Sequence, residues 1–142
     1  MKTELIRQLR KDEGEESCVY KDSLGIWTIA VGRNVDKDHG GGLKADEIAY
    51  ILNNDIDDRM EALTRALPWF QNLDDARRGV LVNMSFMGVS KLLQFTNTLE
   101  AIRVGDYSKA ADEMLDSLWA KQVGARATRL AQQMRTGNWV FQ

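Results

Sequence analysis

The sequence has 142 residues, of which 44% are hydrophobic and 28% are charged, and its formal net charge at pH 7 is −2. This balance is typical of one globular folding unit, and no segment approaches the roughly 18 consecutive apolar residues of a membrane span. The charged N-terminus lacks the apolar core of a signal peptide, which predicts no export on a signal of its own. With one cysteine, Cys18, and one histidine, His39, an internal disulfide is excluded and no metal site is predicted.

The first segment predicts an amphipathic helix over Thr3–Glu13, with Thr3 as its N-cap. Leu5, Ile6 and Leu9 recur at helical spacing and form its apolar stripe. Gly14 follows where a helix stop is expected.

Two short strands are predicted next, Cys18–Tyr20 and Trp27–Val31, joined by a turn at residues 23–25. The string HGGG at 39–42 lacks the strand and lysine pattern of a phosphate-binding loop, so it predicts a flexible linker.

A long helix is predicted from Lys44 to Leu67, because apolar residues recur there at steps of three and four. At about 1.5 Å per residue this helix spans more than roughly 30 Å, which is long enough to bridge two lobes. Pro68 ends it.

The remaining chain predicts short helices. Helix starts are predicted at Asp74, at Asn97 with Glu100 three residues later, and at Asp106. Gly124 and Gly137 separate the last segments. Apolar residues of these helices predict a core, namely Val80, Leu81, Met84 and Trp119.

One stretch, residues 12–32, contains the candidate catalytic residues. Glu13 lies at a helix end, Asp22 in a turn and Thr28 in the returning strand. A carboxylic acid that protonates a leaving oxygen and a carboxylate that directs water are the requirements of glycoside hydrolysis. The spacing alone is weak evidence, because acidic residues are common at helix ends and in turns.

The literal pattern is more specific. D-E-G, Y-K-D and G-x-x-T-I-x-x-G at residues 12–32 resemble the phage T4-type lysozyme (endolysin) family, muramidases that cleave peptidoglycan. Further matches extend nearly to the C-terminus: NND at 53–55, LPWF at 67–70, ARR at 76–78, NMSFMG at 83–88, FTNTL at 95–99 and RTGNW at 135–139. The resemblance covers essentially the whole chain.

The resemblance implies an α+β, mainly helical, two-lobe fold formed by a single domain over residues 1–142. A hairpin lobe would comprise residues 14–50, and the helix over residues 44–67 would connect it to a helical lobe. That second lobe would combine residues 1–13 with residues 68–142.

The resemblance also implies roles for individual residues. Glu13 matches the general acid, Asp22 the second catalytic carboxylate, and Thr28 the threonine that holds the attacking water. Arg126 matches an arginine that pairs with the catalytic glutamate. Residues that match the sugar cleft are Asn34, Phe86, Thr98 and Glu113. An inverting reaction predicts that the carboxyl groups of Glu13 and Asp22 lie roughly 6.5–9.5 Å apart.

Two departures from the family pattern stand out. The string NMSFMG lacks a glutamine that many relatives have, and Arg33 occupies the position of a family histidine that pairs with an aspartate on the long helix. The aligned aspartate is Asp55, which predicts an Arg33–Asp55 ion pair. Arginine would keep its charge at alkaline pH, where histidine would lose it.

The predicted function is hydrolysis of the β-1,4 bond between N-acetylmuramic acid and N-acetylglucosamine for host cell lysis. A lytic transglycosylase, which needs one catalytic acid, and a non-catalytic wall-binding helical domain are the alternatives. No cofactor is expected, since water is the second substrate. The resemblance implies a monomer without nucleic-acid partners or stable membrane insertion. It would be made in the host cytoplasm and would reach the periplasmic wall after a holin opens the membrane.

Overall fold

A computed structural model describes the whole chain, Met1–Gln142. The chain divides into two compact units, Met1–Leu52 and Asn53–Gln142. Most residues are helical and one small antiparallel sheet is present, so the predicted fold class, α+β and mainly helical, is confirmed. The predicted division into lobes, with residues 1–13 placed beside residues 68–142, stays a prediction. None of the helices combines the length and the apolar composition needed to cross a bilayer.

The first helix, α1, covers Lys2–Glu13. The predicted N-cap at Thr3 is wrong, because Thr3 lies inside the first turn and Met1 occupies the cap position. The amino group of Met1 forms an ion pair with Glu4 at 2.9 Å, and its carbonyl accepts a hydrogen bond from the backbone N–H of Leu5. The bond from Leu5 is the first backbone hydrogen bond of the helix, and no side chain caps α1.

The sheet contains three antiparallel strands in the order β1 (Glu16–Lys21), β2 (Trp27–Ala30) and β3 (Arg33–Asn34). The predicted hairpin is confirmed by β1 and β2. The third strand was not predicted, since two residues are too few to show the alternation that identifies a strand. Because β2 is the central strand, its residues have neighbours on both sides.

The second helix, α2, covers Ala45–Ala66 and confirms the predicted long helix. It continues through Leu52 and Asn53, where the two compact units meet in the sequence. At its start, the carboxylate of Glu47 accepts a hydrogen bond from the backbone N–H of Lys44 at 2.8 Å. This contact satisfies one of the N–H groups that a helix N-terminus leaves unpaired.

The unit Asn53–Gln142 contains every buried apolar side chain of the protein. Its core includes Val80, Leu81 and Met84, all fully buried, and Trp119, which packs edge-to-face against Phe95. The predicted core positions are therefore confirmed.

The helices that follow α2 are α3 (Asp75–Met84), α4 (Val89–Leu92), α5 (Thr96–Arg103), α6 (Tyr107–Leu115), α7 (Leu118–Val123) and α8 (Ala125–Thr136).

Two of the three predicted caps in this unit are confirmed. Asp74 accepts a hydrogen bond from the backbone N–H of Arg77, and Asp106 accepts one from that of Lys109. The start at Asn97 is wrong, because α5 begins one residue earlier and Glu100 forms an ion pair with Arg103 instead of returning to the helix start. With Phe95 at the cap position, Glu100 lies five residues beyond the cap, whereas a capping box needs its acidic residue three residues beyond it.

Candidate active site

Asp22 is fixed by the turn that it begins. Its Oδ1 accepts hydrogen bonds from the backbone N–H groups of Leu24 at 2.8 Å and Ile26 at 2.9 Å. Its own N–H donates to the carbonyl of Ile26, and its carbonyl accepts from the N–H of Gly25, which has a φ of +77°. Aspartate forms such turns because its short side chain reaches backbone donors two to four residues ahead. Both backbone bonds end on Oδ1, which leaves Oδ2 available for another partner.

Thr28 is buried in the middle of the sheet, with 4% of its surface exposed. It lies opposite Tyr20 on β1 and opposite Asn34 on β3. Its hydroxyl donates to the carbonyl of Ile26 at 2.9 Å, and this donation commits the hydroxyl proton to the backbone. The oxygen of Thr28 can therefore act toward a further partner only as an acceptor.

Glu13 is the last residue of α1 and its side chain is exposed. Its carboxylate rests against Gly32, just beyond the end of β2, where a Cβ atom would lie 3.0 Å from Oε2. The chain turns sharply there, with a φ of +59° at Ala30 and +71° at Gly32. Glycine is suited to Gly32 for two reasons, the left-handed backbone and the close approach of the carboxylate.

These contacts place three predicted site residues in the unit Met1–Leu52. Asp22 and Thr28 share one acceptor, the carbonyl of Ile26, and Glu13 lies against the backbone that follows the strand of Thr28. The arrangement offers one exposed carboxyl group, one carboxylate with a single engaged oxygen, and one hydroxyl oxygen restricted to accepting. Such groups can donate a proton and hold a water molecule.

Asn34 follows the sheet and organises the loop over residues 34–42. Its Oδ1 accepts from the N–H of Asp36 at 2.8 Å, and its Nδ2 donates to the carbonyl of His39 at 3.1 Å. The amide lies so close to Gly41 that a Cβ there would overlap with Oδ1 of Asn34. The glycine string is thus anchored by the side chain of Asn34, whose contact with a sugar stays a prediction.

Asp36, which sequence reasoning did not select, is a buried carboxylate in this loop, 7% exposed. Hydrogen bonding from the N–H of Trp27 holds the pKa of Asp36 below its ordinary value despite burial, assisted by the N–H of Asp38 and by His39. The imidazole Nδ1 of His39 lies 3.1 Å from Oδ2. The pattern N-x-D before a glycine-rich loop is the one sequence signal that indicates such a network of side chain–backbone hydrogen bonds.

The predicted partner of Arg33 is wrong. The guanidinium of Arg33 pairs with Glu47 on the first turn of α2, with Nη1 and Oε1 2.6 Å apart, rather than with Asp55. Glu47 is eight residues earlier in the same helix than Asp55. The backbone N–H of Lys44 donates to the same oxygen, Oε1 of Glu47, and so holds the carboxylate that Arg33 contacts.

Glu47→Gln is expected to lower the melting temperature at pH 7, with the difference from wild type vanishing at low pH. Hydrogen bonding to Arg33 lowers the pKa of Glu47 from 4.5 to about 2. Stability from a depressed carboxyl pKa is present above the unfolded value and is lost as pH falls through the folded value. The effect is modest, because both side chains are about one-third exposed. Melting curves at pH values from 7 to about 2 measure it.

Glu61→Gln is the matched control. It removes an ion pair with Arg65 on the same helix, but both side chains are largely exposed, so we expect almost no change in melting temperature. A Glu47→Gln variant that matches wild type at pH 7 would contradict the Arg33–Glu47 contribution.

The other predicted site residues lie in the unit Asn53–Gln142. Arg126 donates three hydrogen bonds to Asn83, two to the side-chain oxygen and one to the carbonyl. Phe86 is 40% exposed, with the guanidinium of Arg59 4.1 Å from its ring centre. Thr98 is buried, and Glu113 is partly exposed. Their predicted roles, including the pairing of Arg126 with the catalytic glutamate, stay predictions.

Comparison with known proteins gives consistent matches. The family model described as phage lysozyme matches residues 10–135 of this chain. Probable T4-type lysozyme 1 of Dictyostelium discoideum is 28% identical over 156 residues, covering 91% of this chain and 92% of that protein. The endolysin of Salmonella phage P22 is 32% identical over 127 residues, covering 82% and 80%. The pre-baseplate central spike protein Gp5 of Enterobacteria phage T4 is 28% identical over 94% of this chain. The matched region covers only 28% of the length of that protein.

Proposed function

The chain belongs to the phage lysozyme family, and from that premise we propose that it is a muramidase with Glu13, Asp22 and Thr28 as its catalytic residues. The substrate is the β-1,4 bond between N-acetylmuramic acid and N-acetylglucosamine in peptidoglycan. The observation that carries this proposal is that Asp22 and Thr28 converge on the carbonyl of Ile26 while each keeps an oxygen for water.

In the proposed reaction, Glu13 protonates the glycosidic oxygen as the bond to the anomeric carbon breaks. A water molecule attacks that carbon from the opposite face, and its proton passes to the carboxylate of Asp22. Thr28 accepts a hydrogen bond from the same water molecule. This contact directs a lone pair of the water oxygen at the anomeric carbon. Attack by water on the face opposite the leaving group inverts the anomeric centre and requires space for water between the two carboxyl groups.

The remaining site residues belong to the same proposal. Arg126 supports the catalytic glutamate electrostatically, and the sugar contacts come from Asn34, Phe86, Thr98 and Glu113. The basic segment over residues 119–142, with four Lys or Arg and no acidic residue, supports attraction to an anionic wall polymer. The proposed setting is lysis of a host bacterium by a monomer that reaches the periplasm after a holin permeabilises the membrane.

Digestion of purified peptidoglycan, followed by mass spectrometry of the fragments, tests the function. We expect falling turbidity and fragments that end in a reducing N-acetylmuramic acid. Fragments ending in an anhydro sugar would indicate a lytic transglycosylase, in which an internal hydroxyl of the substrate replaces water. Binding to the wall without any fragment would indicate a non-catalytic wall-binding domain.

A further inference from the structure

The buried carboxylate of Asp36 has no part in the reaction described above, yet it contacts the same peptide group that Asp22 and Thr28 share. The N–H of the Ile26–Trp27 peptide donates to Oδ2 of Asp36 at 3.1 Å. The carbonyl of that peptide accepts from the hydroxyl of Thr28 at 2.9 Å and from the N–H of Asp22 at 3.0 Å. One peptide group therefore joins the buried carboxylate to the proposed water-binding hydroxyl.

We propose that Asp36 is a positioning residue for hydrolysis, which acts on Thr28 through the Ile26–Trp27 peptide. This inference rests on the proposed function. The carboxylate of Asp36 fixes the peptide plane and so directs the hydroxyl proton of Thr28 to the carbonyl of Ile26. The oxygen of Thr28 then presents only lone pairs to the attacking water.

The physical basis is the strength of a charged acceptor. A hydrogen bond to a carboxylate is stronger than one to a neutral oxygen, and in a hydrogen-bonded chain each bond polarises the next. The carbonyl of Ile26 thereby becomes a better acceptor for Thr28. The next peptide of the same strand, Trp27–Thr28, is also tied to the loop, since the N–H of Val35 donates to the carbonyl of Trp27 at 2.9 Å.

Asp22 depends less on this connection. The N–H groups of Leu24 and Ile26 already hold its Oδ1, so its orientation comes from its own turn. Thr28 has a single side-chain hydrogen bond, the one to Ile26. Loss of the Asp36 carboxylate is therefore expected to act on turnover mainly through Thr28.

The test combines Asp36→Asn with Thr28→Ala and uses soluble peptidoglycan fragments as substrate. In the wild type, each carboxylate oxygen of Asp36 accepts from one backbone N–H, that of Trp27 or that of Asp38. The side chain in Asp36→Asn is uncharged and has a single acceptor oxygen, so it cannot replace both charged acceptors. We expect kcat to fall on the order of tenfold with KM unchanged, because small displacements of a reacting group are costly. In the Thr28→Ala background the same change is expected to have no further effect on kcat, since coupled residues are not additive.

Asp38→Asn is the matched control, because Asp38 lies in the same loop with its side chain exposed, and its kcat should equal that of wild type. Independent, multiplicative effects of Asp36→Asn and Thr28→Ala, or an equal loss in Asp38→Asn, would overturn the proposal. Asp36→Glu keeps a charged acceptor and is expected to retain more activity than Asp36→Asn. It enters the same double-mutant cycle if the asparagine variant does not fold.

Amide hydrogen exchange of Trp27, measured by NMR without substrate, separates this inference from the proposed function. Exchange is expected to accelerate in Asp36→Asn and to stay unchanged in Asp38→Asn. Unchanged Trp27 exchange in Asp36→Asn would overturn the positioning role even if the enzyme is an active muramidase. Faster exchange in a protein that cleaves no peptidoglycan would instead reject the proposed function, and with it the catalytic purpose of the contact.

Discussion

Glu13→Gln is expected to reduce peptidoglycan turnover by at least about a hundredfold, because a positioned general acid contributes on the order of 10²–10⁴ in rate. Glutamine has nearly the same shape as glutamic acid but has no acidic proton to give to the glycosidic oxygen. The Glu13 side chain is exposed at the end of α1, so the fold is expected to tolerate the change. The rate is measured as turbidity loss of purified peptidoglycan, and the fold by circular dichroism.

Glu15→Gln is the matched control for this variant. Glu15 lies two residues later and its exposed carboxylate forms an ion pair with Arg10 at 3.4 Å. Removing an exposed pair costs less than about 1 kcal/mol, so the activity of Glu15→Gln should equal that of wild type. Glu13→Gln with activity within a few-fold of wild type would remove Glu13 from the mechanism.

Phe70→Ala is expected to give the largest loss of stability, about 3–5 kcal/mol in the free energy of unfolding. Phe70 is fully buried in the core of the unit Asn53–Gln142, in the short turn that follows α2. The substitution removes a ring and leaves a cavity that rigid neighbours fill only in part. Proteins of this size are stable by about 5–15 kcal/mol, so the loss is a large share of the total.

Urea unfolding followed by tryptophan fluorescence measures this loss as a lower midpoint. Leu118→Ala is the control, because Leu118 begins α7 with 70% of its surface exposed, and we expect a change within about 0.5 kcal/mol. A loss below about 1 kcal/mol in Phe70→Ala would show that the core does not depend on this ring.

The sequence alone determined the elements whose signals are local. The long helix followed from apolar residues at steps of three and four, and the hairpin from two short strand patterns around a turn. Asp74 and Asp106 were identifiable as caps because each side chain accepts from the backbone N–H three residues later. This hydrogen bond depends only on the first turn of the helix. The family was recognisable from literal strings, since its motifs are spread over the whole chain.

The assembled structure was needed to identify the partner of Arg33. Arg33 on β3 pairs with Glu47 on the first turn of α2 rather than with Asp55. Long side chains reach several carboxylates at similar cost, and sequence spacing does not rank these alternatives.

The role of Asp36 likewise required the structure. Its partner Trp27 lies nine residues earlier in the chain, and the two meet because β2 and β3 pair in a register that the sequence does not display. Local hydrogen bonds depend on short stretches of chain, whereas burial of a carboxylate and the choice of its donors depend on the packing of separate strands and loops. Periodicity and capping therefore predicted the elements, while the hydrogen bonds that hold Thr28 depended on how those elements assemble.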